Sequence, residues 1–208
     1  ADPLDAVRLG QEIPWFSPEL GVRSLPDWET LPYDVISPQE DIVSERLETL
    51  YRMTSGTKGL DVVIASAVTA AQRMAPVAYV GANTFFFRPG DTLSVEGLRS
   101  NLAAAGYAGV KQVLAAGEFA VRGSIIDVFP MGSDRPFRLD LFDDEIESIR
   151  WFDVETQRSM EAVNEIRLLP GHEFPVPPEA VTGFRQRWRT RFACLLYTSP
   201  SPRDAHES

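Results

Sequence analysis

The sequence predicts an α/β protein: a parallel-sheet domain flanked by helices, followed by a smaller α+β domain of one helix and an antiparallel sheet. Three observations predict it. DVVIAS (61–66) is a short continuous apolar run with helical patterns on either side, as suits a strand buried on both faces of a parallel sheet. The turn RPGD (88–91) marks a change of pattern. Beyond it, 117–153 reads GEFAVRGSIIDVFPMGSDRPFRLDLFDDEIESIRWFD, a series of strand formers broken by short turns.

Composition bounds the function. The chain has 208 residues, 44% hydrophobic and 24% charged, which is ordinary for one or two soluble globular domains. No apolar run approaches the ~20 residues of a membrane span, and ADPLDAVRLG lacks the layout of a signal peptide. Cys194 is the single cysteine, so no internal disulfide and no cysteine metal spacing exist. A cytoplasmic location is expected. The net charge of −10 argues against strong autonomous binding to nucleic acid and for a protein partner.

The elements are expected in this order. A helix opens the chain, with Asp2 as cap, Pro3 in its first turn and the pair Leu4 and Val7; Pro14 ends it. Pro26, Pro32 and Pro38 exclude regular structure before Ser37-Pro38-Gln39-Glu40, a capping box with proline at the first helical position. The helix that follows carries Val43, Leu47, Leu50 and Tyr51 on its packing face, with Glu45, Arg46 and Glu48 on others. Ser55-Gly56-Thr57-Lys58 lacks the phosphate-loop pattern and reads as a loop. After the 61–66 strand come a helix over 67–74, closed by Pro76, and a strand at 84–87. Ser94 caps a helix with Leu98, Leu102 and Ala105, which Gly106 terminates. Strands follow at 110–114, 118–122, 124–129, 136–142, 145–152 and 164–169. Pro170-Gly171 and 175–178 form a linker to a helix over 179–192 with Arg185, Arg187, Arg189 and Arg191, which spread around it. The tail from Cys194 has no periodicity. It resembles translated adapter sequence and is set aside from the fold.

No catalytic constellation is visible. His206 lies in the tail and His172 follows a Pro-Gly turn, so no nucleophile–base arrangement is evident. Asp143, Asp144 and Glu145 are consecutive acids in a turn and read as solvated rather than as a metal site.

The 117–153 stretch is more informative. Alternation on 136–142 puts Phe137, Leu139 and Leu141 on the core face and Arg138, Asp140 and Phe142 on the other. On 118–122 it buries Phe119 and Val121 and exposes Glu118, Ala120 and Arg122. Two accounts fit this second face. Exposed arginines beside an aromatic compose a protein-binding hot spot. Equally, Phe142 tucks in at a strand end and the arginines pair with Asp140 or the acidic turn. A two-residue loop at Asp143-Asp144 would set Asp140 opposite Glu147, two like charges, so the register of this hairpin stays open.

DWETLPYD (27–34), SPQEDIVSERLETLY (37–51), GEFAVRGSIIDVFPMGS (117–133), FRLDLFDDEIESIRWFDVETQRS (137–159) and LLPGHEFP (168–175) together resemble the N-terminal region of the bacterial transcription-repair coupling factor (Mfd) family. The resemblance runs from residue 1 to about residue 192. It implies a truncated RecA-like domain, similar to domain 1 of UvrB and without ATPase residues, carrying an inserted UvrB domain 2-like module that binds UvrA. The expected boundaries are 1–82 for the partial nucleotide-binding-like domain, 83–166 for the insert, 167–192 for the return and helix, and 193–208 for the tail. On the matching motif positions, the family's UvrA-contacting residues fall on Arg122, Arg138 and Phe142. This favours the interface account.

The resemblance implies a parent protein that is an ATP-dependent double-stranded-DNA translocase. It displaces stalled RNA polymerase and recruits UvrA to excision repair. The polymerase, DNA, ATP and magnesium would engage parts of that parent absent here. The segment itself is expected to have no chemistry and no cofactor, and to be truncated at both ends. The alternative is a piece of UvrB, the ATPase that clamps damaged DNA. UvrB would carry a tyrosine-rich hairpin where this chain has LPDWETLPYD, with Tyr33 alone.

Overall fold

The computed structural model describes residues 3–30, 38–56, 58–174 and 178–191. The chain divides into two compact units, Ala1–Phe174 and Pro175–Ser208. The first unit is mixed α/β, with one parallel pair of strands, one antiparallel pair and one larger mixed sheet.

Helix α1 (Pro3–Phe16) runs past Pro14, where the sequence predicted its end. Pro14 sits in the last turn, so its missing N–H removes one bond, and the carbonyl it crowds belongs to Gly10. Leu4 and Val7 are exposed. Strand β1 (Val22–Leu25), which the sequence pattern did not announce, pairs in parallel with the expected strand β2 (Val62–Ala65).

Helix α2 (Glu40–Ser55) starts from Gln39, which caps it with extended backbone and no side-chain hydrogen bond. Ser37 of the predicted capping box lies outside the described residues, and Pro38 precedes the helix instead of opening it. Gly56, at φ 62°, ends it in the left-handed conformation glycine favours.

The helix expected over 67–74 ends early, as α3 (Ala67–Ala71), whose Thr69 N–H donates to Ser66 Oγ at 3.0 Å, and a further helix that the sequence did not announce, α4 (Val77–Ala82), follows it. Gln72 leaves the helix at ψ 155°, and Pro76 disfavours helical backbone just before it, so the break falls between them. Strand β3 (Phe85–Phe87) pairs antiparallel with β10 (Ile166–Leu168).

Between β3 and β10 lie helix α5 (Val95–Ala104), capped by Ser94, and a six-stranded sheet. Its order is β4 (Ala108–Gly109), β5 (Glu118–Arg122), β6 (Ile125–Val128), β7 (Phe137–Phe142), β8 (Glu145–Phe152) and β9 (Ser159–Ala162). The pairs from β5 to β9 are antiparallel, but β4 is parallel to β5, so the sheet is mixed. The strand expected at 110–114 is absent. There the chain forms a loop whose Leu114 and Ala115 N–H groups donate to one Glu118 carboxylate oxygen at 2.7 and 3.0 Å.

One face of this sheet, with Phe119, Ile126, Leu139, Ile146 and Ile149, packs into a core that also holds Leu98 and Leu102 of α5 and Leu47 and Leu50 of α2. Residues 170–174 belong to this packed unit and not to a linker. Gly171 N–H donates to Ala105 O at 2.7 Å and Glu173 is buried. In the second unit, α6 (Pro178–Arg191) carries the four arginines, all exposed, and stacks Phe184 near Trp188 at 5.7 Å.

Candidate functional site

Strand β7 alternates as the sequence predicts: Leu139 and Leu141 are buried on the core face, and Phe142 is 71% exposed on the other. The cross-strand register fixes who shares that second face. Arg138 lies opposite Asp127, which lies opposite Ala120. Arg122 lies opposite Ile125, which lies opposite Asp140. Opposed residues point the same way. Arg122 of β5 therefore faces the same side as Arg138, Asp140 and Phe142 of β7, with β6 between them.

Asp127 occupies that gap and is fully buried. Its carboxylate accepts from Arg138 Nε at 2.7 Å and Arg138 Nη2 at 3.0 Å, and from Arg122 Nη2. Arg138 Nη1 donates to Gln157 O at 3.2 Å and Ser159 Oγ at 3.1 Å, and its guanidinium lies 4.9 Å from the Phe152 ring centre. The bond to Asp127 and that carboxylate's charge hold the Arg138 guanidinium above its ordinary pKa, against the opposing effect of burial.

The two arginines consequently differ. The Arg138 side chain is 13% exposed and the Arg122 side chain 48%. The expectation that Ala120 and Arg138 lie open on this face is corrected. Phe152, Val113 and Ala120 form a small second core there. The β8–β9 turn covers Arg138 through the bonds at Gln157 and Ser159. The acidic partner is also not the one the sequence suggested: Asp140 accepts instead from Ser148 Oγ at 3.0 Å. Asp127 was missed because it sits in the apolar run SIIDVF; a lone carboxylate at a strand centre is the signal that could have found it.

The hairpin register also resolves. Phe142 pairs with Glu145 across the two-residue loop Asp143-Asp144, with Asp143 at φ 51°. Asp140 then faces Ser148 and Leu141 faces Ile146, which leaves Glu147 as the extra residue of a bulge. The like-charge opposition of Asp140 and Glu147 is avoided.

Sequence reasoning missed a second polar cluster. Arg46 is fully buried and pairs with Glu173; its Nη1 also donates to Pro26 O. Trp28 Nε1 donates to Glu173 Oε1 at 2.9 Å, and the Arg46 guanidinium lies 4.8 Å from the Trp28 ring centre. Helical periodicity assigned Arg46 to a polar face, and nothing local announced a partner so distant in sequence.

Among the described residues no group of three His, Cys, Asp or Glu side chains could hold a metal ion. Gly56 lies at the C-terminal end of α2, where a helix presents carbonyl groups and not the N–H groups that hold a phosphate. No described helix is long and apolar enough to cross a membrane.

What the arrangement offers is a sheet face with an exposed aromatic and a half-exposed guanidinium. Residues 85–174, which include all of it, match the family model of the UvrB interaction domain. The chain is 47% identical over 191 residues to the transcription-repair-coupling factor of Escherichia coli (strain K12), covering 92% of this chain and 16% of that protein. Over this segment the chain belongs to the transcription-repair-coupling factor family. The factor from Haemophilus influenzae is 46% identical over the same shares, and that from Rickettsia bellii is 30% identical over 90% of this chain and 17% of its own length. The chain thus spans about a sixth of the length of the curated coupling factors it matches. The elements α1, β1, α2, β2, α3 and α4 lie before the matched domain.

Proposed function

We propose that this chain is the UvrA-recruiting segment of a transcription-repair coupling factor, and that Arg122, Arg138 and Phe142 form its binding face. The single observation that carries the reading is the exposed Phe142 ring on the same sheet face as the half-exposed Arg122, inside the matched interaction domain. An aromatic and arginines on a preorganised surface are the residue types that dominate protein interfaces.

In this account 83–166 is an inserted α+β module, entered through β3 and left through β10, and 1–82 with 167–192 is a partial RecA-like domain around it. The segment performs no chemistry. The intact factor is an ATP-dependent double-stranded-DNA translocase that works in the cytoplasm, displaces stalled RNA polymerase and hands the lesion to UvrA. ATP and magnesium serve its motor domains, outside this segment. The reading as a piece of UvrB has nothing to favour it beyond the matched domain's name, since the relatives named above are coupling factors.

Titration calorimetry of the chain against purified UvrA tests the proposal. Saturable binding is expected, without ATP hydrolysis by the chain alone. Absence of binding overturns the recruiting role, and hydrolysis above background overturns the claim that the segment lacks chemistry.

A further inference from the structure

The half-exposed Arg122 and the covered Arg138 share one fully buried carboxylate, and this asymmetry has a consequence for binding. Asp127 is held from one side by two bonds from Arg138, at 2.7 and 3.0 Å. Arg138 is itself fixed by Gln157 O, Ser159 Oγ and the Phe152 ring. The carboxylate therefore has little freedom to move. On its other side it receives Arg122 Nη2.

Among the described residues the Arg122 guanidinium makes no other hydrogen bond. One corner of its donor fork is tied down and the rest stays open at the surface. Arginine has five N–H donors in a rigid plane that suits bidentate capture of a carboxylate. Orienting such a side chain beforehand removes part of the entropy cost of binding.

We infer that Asp127 is a positioning residue for partner recognition: anchored by Arg138, it orients Arg122 so that the open edge of its guanidinium meets a carboxylate on UvrA. This rests on the UvrA reading above. Asp127 itself is too deep to touch a partner, so its effect must pass through Arg122.

A mutant cycle on the full chain tests this, with UvrA affinity read by calorimetry and folding by thermal denaturation. Arg122→Ala is expected to lose about tenfold in affinity or more. Asp127→Asn is expected to lose about three- to tenfold. The double variant should bind within about twofold of Arg122→Ala, because coupled residues are not additive. Should Asp127→Asn fail to fold, Asp127→Glu takes its place in the cycle, since it keeps the charge and moves the carboxylate by one methylene.

Full affinity in the Asp127 variant, or its full extra loss on top of Arg122→Ala, overturns the positioning role while leaving UvrA binding intact. Undiminished affinity in Arg122→Ala removes Arg122 from the interface and overturns both.

Discussion

Arg46 and Glu173, 127 residues apart in the sequence, form a buried ion pair roofed by Trp28. The pair joins α2 to the segment that follows β10, so it ties the chain before the matched interaction domain to the last residues of that domain. Three of the sequence blocks that mark this family, around Trp28, Arg46 and Glu173, meet there.

Removing one partner of that pair leaves a buried charge uncompensated. Glu173→Gln or Arg46→Met should each destabilise the chain by about 3–5 kcal/mol, measured by urea denaturation. Replacing both by apolar residues of similar volume should cost much less. Losses that simply add in the double replacement would show that the two residues contribute independently and not as a pair.

Tyr107 makes a second long-range tie. Its hydroxyl donates to Leu169 O at 2.6 Å and accepts from Met131 N–H at 3.1 Å. Burial is the main reason its phenol pKa is raised above the ordinary value near 10. The folded chain therefore holds this proton more tightly than the unfolded chain does. That contribution is complete below the unfolded pKa and is lost as pH rises from about 10 toward the folded value. Tyr107→Phe should cost about 1–3 kcal/mol at pH 7, because it leaves buried backbone groups unsatisfied. It should also flatten the fall in stability above pH 10 in alkaline denaturation curves.

Gly171 approaches backbone directly. A Cβ there would lie 2.6 Å from the carbonyl carbon of Gly106 and 2.7 Å from its oxygen. Gly171→Ala should destabilise by about 1–3 kcal/mol through overpacking, with the melting temperature as the readout. An unchanged melting temperature would mean that the 170–174 segment detaches without cost.

The parts of the fold legible in the sequence are those with a local cause. DVVIAS is a continuous apolar run, the strands from β5 to β8 show their own alternation, and Ser94 and Gly106 punctuate α5. Alternation alone placed Arg138 and Phe142 on one face of β7. Illegible were features decided by distant partners. β4 is two residues long and has no pattern of its own. Ala120 looks solvent-facing by alternation and is buried because Phe152 and Val113 cover it. Arg46 and Asp127 are charged residues in the interior, and each is stabilised there by a partner on another element. The bulge at Glu147 follows from pairing geometry that the hairpin sequence leaves open.

The most direct test of the binding face compares two exposed phenylalanines. Phe142 is 71% exposed on the proposed face, and Phe86 is 49% exposed on β3. If the face containing Arg122, Arg138 and Phe142 recruits UvrA, Phe142→Ala should weaken calorimetric binding to UvrA by about 1–3 kcal/mol while Phe86→Ala leaves it unchanged. Unchanged affinity in Phe142→Ala, with the chain still folded, would contradict the account.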